Sequence, residues 1–271
     1  MSEAIGTAAL ASNEVRVPAL SVRNATKRFG AVLALDSLDL DVHHGEVLAI
    51  LGDNGAGKST LIKCISGVHR LDLGEIQIDG QPAAINSPAA ARDYGIETVY
   101  QDLALFDNLG PSANFFAGRE VAGPRWLPKP VRVLRRRSML DSTVDVLERL
   151  NVSLPDRSAA VGLMSGGQRQ VIAVARAAAF ASKVVILDEP TAALGLRESR
   201  RVLDLILRLR AEGHAVIVIS HALDHVTEVA DRAVVMRRGR KVGEEIPSPD
   251  SQQRIVALIV GTSAEAAPSP P

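Results

Sequence analysis

Short runs of Val, Ile and Leu alternate along the chain with longer stretches in which apolar residues recur every three or four positions. A short continuous apolar run suits a strand buried on both faces, and the wider spacing marks one face of a helix. On this basis residues 46–51 are predicted to form a strand, 57–67 a helix and 184–188 a second buried strand. The pattern then repeats: 197–210 places Val202, Leu205, Ile206 and Leu209 on one helical face, and 215–220 returns to a strand. Strands alternating with helices imply a largely parallel sheet covered on both sides. The first part differs, because 20–28, 38–42 and 74–79 are separated by Gly and Asp turns, the mark of an antiparallel β layer. From 102 to 163 no convincing strand run occurs, while Val144, Leu147 and Leu150 keep a helical spacing. That stretch is expected to be a helical subdomain inserted in the α/β core. Residues 232–245 read as a hairpin turning at Arg238-Gly239, followed by a short helix at 252–259.

Composition narrows the picture. A chain of 271 residues can bury a substantial core. Lys plus Arg and Asp plus Glu both number 31, so the zero formal charge gives no support for a nucleic-acid partner. The single cysteine, Cys64, excludes an internal disulfide framework, suits a reducing compartment and is read as a small buried hydrophobe. No run approaches the roughly 18 consecutive apolar residues that a bilayer span requires. Residues 1–18 lack the basic start and apolar core of a secretory signal and are expected to be a disordered extension, as is the Pro-rich tail at 262–271. The folded domain is therefore placed at 19–261, with the helical subdomain at about 102–165. The basic run at 132–137 is read as a solvated face.

The chemistry concentrates in a few motifs. Gly52-Asp53-Asn54-Gly55-Ala56-Gly57-Lys58-Ser59-Thr60 follows a predicted strand and opens a predicted helix, the setting that a phosphate-binding loop demands. Its glycines let successive N–H groups curl around phosphate oxygens, and the helix N-terminus adds a favourable dipole. Lys58 supplies a point charge to the β- and γ-phosphates, and Ser59 is positioned to reach Mg²⁺. The apolar run Val184-Val185-Ile186-Leu187 ends in Asp188-Glu189, where open parallel sheets bind ligands. Asp188 is expected to hold Mg²⁺, directly or through water, and Glu189 to orient or deprotonate the water that attacks the γ-phosphate. Met164-Ser165-Gly166-Gly167-Gln168 precedes a helix and offers free N–H groups at a second helix N-terminus. Each of the last two motifs is commonplace alone and gains meaning from the phosphate loop.

Together these motifs resemble the ABC (ATP-binding cassette) ATPases, over about residues 20–261. The resemblance implies a P-loop NTPase core with an antiparallel β subdomain and an inserted α-helical subdomain. It implies ATP and Mg²⁺ as ligands, with Ser165, Gly166, Gly167 and Gln168 capping the γ-phosphate held by the opposite subunit of a dimer. Phe29, in Lys27-Arg28-Phe29-Gly30, matches the aromatic that stacks on adenine; Gln101 matches the glutamine that contacts Mg²⁺; His221 matches the switch histidine beside the catalytic glutamate. Met164 replaces the usual Leu, and Gly195 stands where an aspartate is usual. The runs from Glu189 to Gly195 and from Asn114 to Glu120 resemble the monosaccharide-importer branch, of ribose, xylose and fructose type. This implies ATP hydrolysis energising sugar import at the cytoplasmic face of a bacterial inner membrane. The implied partners are a second copy of the chain, membrane permease subunits and, indirectly, a periplasmic or extracellular sugar-binding protein. Import of another small solute, or a soluble non-transport ABC ATPase, are the alternative readings.

Overall fold

The computed structural model describes residues 17–123, 133–154, 156–192 and 194–261. The expected terminal extensions fall outside these residues, apart from residues 17 and 18. In chain order the elements begin with β1 (Leu20–Phe29), β2 (Val32–Val42), β3 (Val47–Leu51), α1 (Lys58–Ile65), β4 (Leu73–Ile78), β5 (Gln81–Pro82), α2 (Pro88–Asp93) and β6 (Ile96–Val99). Next come α3 (Pro111–Phe115), β7 (Ala122–Gly123), β8 (Val133–Leu134), α4 (Arg136–Arg149) and α5 (Gly166–Phe180). The remainder comprises β9 (Val184–Asp188), α6 (Leu196–Ala211), β10 (Ala215–Ile219), α7 (Leu223–Val229), β11 (Arg232–Arg237), β12 (Arg240–Glu245) and α8 (Gln252–Val260).

Two sheets organise the molecule. One is antiparallel, in the order β2-β1-β4-β5; the other runs β12-β11-β3-β10-β9-β6. Within the second, β11, β3, β10, β9 and β6 are parallel, and β12 closes one edge as the antiparallel arm of a hairpin. Its central strands β3 and β10 are apolar at every position because both faces are covered. On β10, Ala215, Ile217 and Ile219 face the core shared with α1 and the antiparallel layer, whereas Val216 and Val218 face the core shared with α5 and α6. Cys64 lies in the first of these cores, and burial pushes its thiol pKa up to about 11.

Register carries the functional consequence. Ile219 lies opposite both Ile50 and Asp188, and Leu187 lies opposite Val99. Strands β3, β10, β9 and β6 therefore end at one level, and the loops that leave them emerge along a single edge.

Three sequence expectations are revised. The strand predicted at 38–42 extends back to Val32, because register shifts between Ala25 and Arg28 break the alternation that would have marked its first half. A two-residue ladder, β7 with β8, lies where no strand was expected, and two residues are too few to show any period. On α4 the buried stripe is Met139, Thr143 and Leu147, whereas Val144 is only partly covered. Of the basic run, 133–137 is exposed as expected, and Arg132 lies outside the described residues.

Candidate functional site

The loop after β3 and the start of α1 build the centre of the site. Gly57 is the N-cap of α1 with φ 103°, and a Cβ there would stand 2.6 Å from the Ala34 carbonyl oxygen, so both conformation and space demand glycine. Lys58 folds back along the loop and donates from Nζ to the carbonyls of Gly52 (2.6 Å) and Asp53 (3.0 Å). Burial lowers the pKa of its ammonium, and Glu189, Asp53 and Asp188 pull the other way. Cationic Lys58 is thus held in place by the turn it is meant to serve.

Around this loop opens a cleft of about 450 Å³ lined by Phe29, Asn54 to Thr60, Gln101, Asp188, Glu189 and His221, together with Val32 to Ala34 and Ile219. Gly52 and Asp53 stand behind it, their carbonyls taken by Lys58. Gln101 arrives two residues past β6, Glu189 one past β9 and His221 two past β10, which is the shared edge set by the strand register.

Glu189 is the most constrained residue of the group. It holds φ 52°, a left-handed conformation unusual for a side chain with a Cβ, and its N–H donates to the Ile219 carbonyl at 3.0 Å. Its Oε1 lies 2.9 Å from His221 Nε2 yet accepts no hydrogen bond, so this buried oxygen keeps a free acceptor. Burial raises the Glu189 carboxyl pKa, His221 opposes the shift, and the neighbouring Asp188 charge adds to it. Asp188 is likewise raised by burial against the pull of Lys58, Lys63 and His221. Two adjacent carboxylates are therefore partly withdrawn from water.

Phe29 is 43 % exposed at the mouth of the cleft, edge-on to His69 with centroids 5.2 Å apart and Lys27 Nζ 5.5 Å from its ring centre. One ring surface is left for a ligand. Ser165 to Gln168 are not in this cleft. Ser165 caps α5 through a reciprocal box, accepting from the Gln168 N–H at 3.2 Å while Gln168 Oε1 accepts from the Ser165 N–H at 2.8 Å. Ser165 and Gly166 are exposed, and Gly167 is buried against the stem of Glu198.

The family model described as ABC transporter matches residues 35–192, which carry the phosphate loop, Gln101, the Ser165 cap and Asp188-Glu189 in order. This chain belongs to the ABC transporter family. Its fold is the ABC ATPase core: the nucleotide-free crystal structure of an ATP-binding cassette from an ABC transporter superposes with a TM-score of 0.77 at 27 % identity, covering 89 % of this chain and 98 % of that one. An ADP conformation of such a cassette gives 0.76, also at 27 % identity, covering 90 % and 99 %. Among curated relatives, the fructose import ATP-binding protein of Rhizobium meliloti is 49 % identical over 90 % of this chain and 94 % of its own length. The xylose/arabinose import ATP-binding protein of Sulfolobus acidocaldarius is 46 % identical over 82 % and 85 %. A ribose import ATP-binding protein of Rubrobacter xylanophilus is 41 % identical over 92 % of this chain, which spans 48 % of that relative.

Several residues of this ABC cassette gain a role that their motifs did not announce. Asn114 is fully buried; its side-chain oxygen accepts from the Phe106 N–H, and its amide donates to the carbonyls of Phe106, Leu109 and Gly110. It therefore knits the loop before α3. Thr191, two residues past Glu189, meets His225 Nδ1 of α7 at 3.0 Å. Glu198 packs against Gly167 and beside Gly195, the N-cap of α6. Thr191 sits in the quoted motif run, but its partner is 34 residues away and had no sequence signal.

Proposed function

We propose that this chain is the ATP-binding and ATP-hydrolysing subunit that energises an ABC importer of a monosaccharide such as fructose, ribose or xylose. One observation carries the chemistry: Lys58, Ser59, Gln101, Asp188, Glu189 and His221 converge on one cleft at the C-terminal edge of the parallel strands. The identity to fructose and xylose/arabinose import subunits, over nearly their whole length, supports the sugar class.

In this reading Phe29 stacks on the adenine, the N–H groups of residues 52–60 curl around the phosphates, and Lys58 exchanges a loop carbonyl for a phosphate oxygen. Ser59, Gln101 and Asp188 offer hard oxygen donors, and the adjacent, partly desolvated carboxyls of Asp188 and Glu189 favour a cation, so the set fits Mg²⁺. Ser59, Gln101 and Asp188 would hold the ion, which would supply neutralisation of phosphate charge. Glu189 turns its free Oε1 to the attacking water and accepts a proton; His221 steadies that carboxylate from 2.9 Å.

Ser165 to Gln168 lie outside the cleft with Ser165 and Gly166 exposed, which suits a role on the nucleotide of a partner copy. One phosphate loop and one Ser-Gly-Gly-Gln element per chain then require a homodimer for two complete sites. The cassette occupies 19–261, and its helical arm, about 102–165, bears on membrane permease subunits at the cytoplasmic face, with a sugar-binding protein on the far side. No helix of the described residues is long and apolar enough to cross a membrane, in keeping with peripheral attachment.

The test is to purify the chain from membranes and reconstitute it with the permease it brings down. ATP turnover that rises with fructose, ribose or xylose and their binding protein supports the assignment. A chain with Mg-ATP that remains monomeric beside that permease, or co-purifies with ribosomes instead, refutes it.

A further inference from the structure

A charged cluster lies at the root of the helical arm, outside the cleft. Glu97 of β6 pairs with Arg119 at 2.6 Å, and the Arg119 guanidinium lies 4.3 Å from the centre of the Phe180 ring, which packs edge-on against Phe116. Arg176 of α5 completes the cluster but makes a different use of its donors. Its Nη1 donates to the Ala104 carbonyl at 2.9 Å and its Nη2 to the Leu103 carbonyl at 3.0 Å. Burial lowers the pKa of Arg176, Glu97 counters this and Arg119 reinforces it. One carboxylate balances the charge of only one guanidinium, and carbonyls engage the donors of the second.

Those carbonyls belong to the turn that follows Gln101. Leu103 and Leu105 pack into the core beside α5, while Ala104 between them is exposed at φ 48°. That conformation costs an alanine about 1–2 kcal/mol. Two apolar anchors and a two-pronged donor therefore clamp a strained turn, a task suited to the rigid fork of an arginine and not to a single ammonium.

We propose that Arg176 is a positioning residue for Gln101, its guanidinium clamping the left-handed turn at Ala104 so that the Gln101 side chain stays directed into the nucleotide cleft. The proposal rests on Gln101 serving the nucleotide, as set out above. Because Arg176 sits three turns along the helix that Ser165 caps, the clamp joins the cleft of one copy to the element offered to its partner. Release of the clamp would let the turn relax and the arm move.

A double-mutant cycle on the chain assembled with its permease tests this, with kcat and KM for Mg-ATP as readouts. Arg176→Ala lowers kcat about tenfold, the rate equivalent of the left-handed alanine penalty, with KM within about twofold. Combined with Gln101→Ala it lowers kcat no further than Gln101→Ala alone. Ala104→Gly, which removes the conformational penalty, restores most of the Arg176→Ala loss. Losses that multiply in the double variant would show a merely structural role and overturn the proposal. So would wild-type kcat in Arg176→Ala beside an impaired Gln101→Ala, which leaves the reading of Gln101 intact. Wild-type kcat in Gln101→Ala would instead remove that reading and the proposal with it. Should Arg176→Ala not fold, Arg176→Lys carries the same cycle, and undiminished turnover in it would sink the need for a fork.

Discussion

Replacing Glu189 with Gln changes one oxygen for an amide nitrogen at nearly constant volume, in a side chain 16 % exposed and 2.9 Å from His221. The left-handed backbone and its bond to Ile219 are untouched, and Phe29, Lys58 and Ser59, the residues proposed to hold the nucleotide, are unchanged. What disappears is the proton acceptor. A positioned general base contributes about 10²- to 10⁴-fold, so steady-state phosphate release should fall by that factor, about 3–5 kcal/mol on the barrier. ATP affinity should stay near the wild-type value, and the ATP-bound dimer should accumulate. A second effect separates this from damage. Burial raises the folded-state pKa of Glu189 above its ordinary 4.5, so the folded protein holds this proton more tightly than the unfolded chain. The contribution of Glu189 to stability in the nucleotide-free wild type therefore declines as pH climbs from about 4.5 through its folded pKa, and the Glu189→Gln variant, with no carboxyl at that position, escapes this part of the pH dependence. The variant's advantage in thermal midpoint should be absent below that window and largest above it. Turnover matching the wild type, or a variant less stable at neutral pH, would refute the assignment of Glu189 as a buried base.

Four further outcomes follow from named contacts. Lys58→Ala should weaken ATP binding about 10- to 100-fold in a titration of the dimerisation-independent site, the worth of one charge-assisted bond. Phe29→Ala should raise KM for ATP about three- to tenfold with kcat unchanged, and Phe29→Tyr should restore it. Ser165→Ala breaks the box that caps α5 and should cost about 1 kcal/mol in urea unfolding, while the role proposed for its hydroxyl at the partner's nucleotide makes the expected loss of turnover far larger. Gly195→Asp should be nearly neutral in unfolding, its capping gain over glycine of about a few tenths of a kcal/mol offset by Glu198, and should become slightly stabilising once Glu198→Ala is added.

Which features were legible follows from where the information resides. β3, β9 and β10 are buried on both faces, so their apolar runs end within a residue of the observed strands. The phosphate loop was legible because its backbone geometry restricts residue type: Gly57 tolerates no Cβ, and Lys58 needs the two carbonyls behind it. By contrast, β2 was half missed, since bulges shift which face each residue meets, and β7 with β8 is too short for any pattern. Side-chain partnerships across long separations left no trace: Arg176 lies 72 residues from Ala104, and His225 lies 34 from Thr191.

Gly195 shows how a departure can be plain in sequence while its consequence is not. An aspartate there would meet ideal conditions for a helix cap, because the backbone is extended at φ −71°, ψ 167° and no side chain caps α6. Space and charge argue the other way, since a Cβ at 195 would stand 2.8 Å from Glu198 Oε2. The Glu198 carboxyl group can turn aside, but its Cβ and Cγ, which fill the room beside Gly167 where the Ser165 turn lies close to α6, keep its charge near position 195. A carboxylate is thus already present in the N-terminal turn of α6, where the dipole favours it. The missing aspartate and the glycine of the Ser-Gly-Gly-Gln element are two sides of one packing arrangement, in which Glu198 takes the charge near the loop and closes the gap behind the cap.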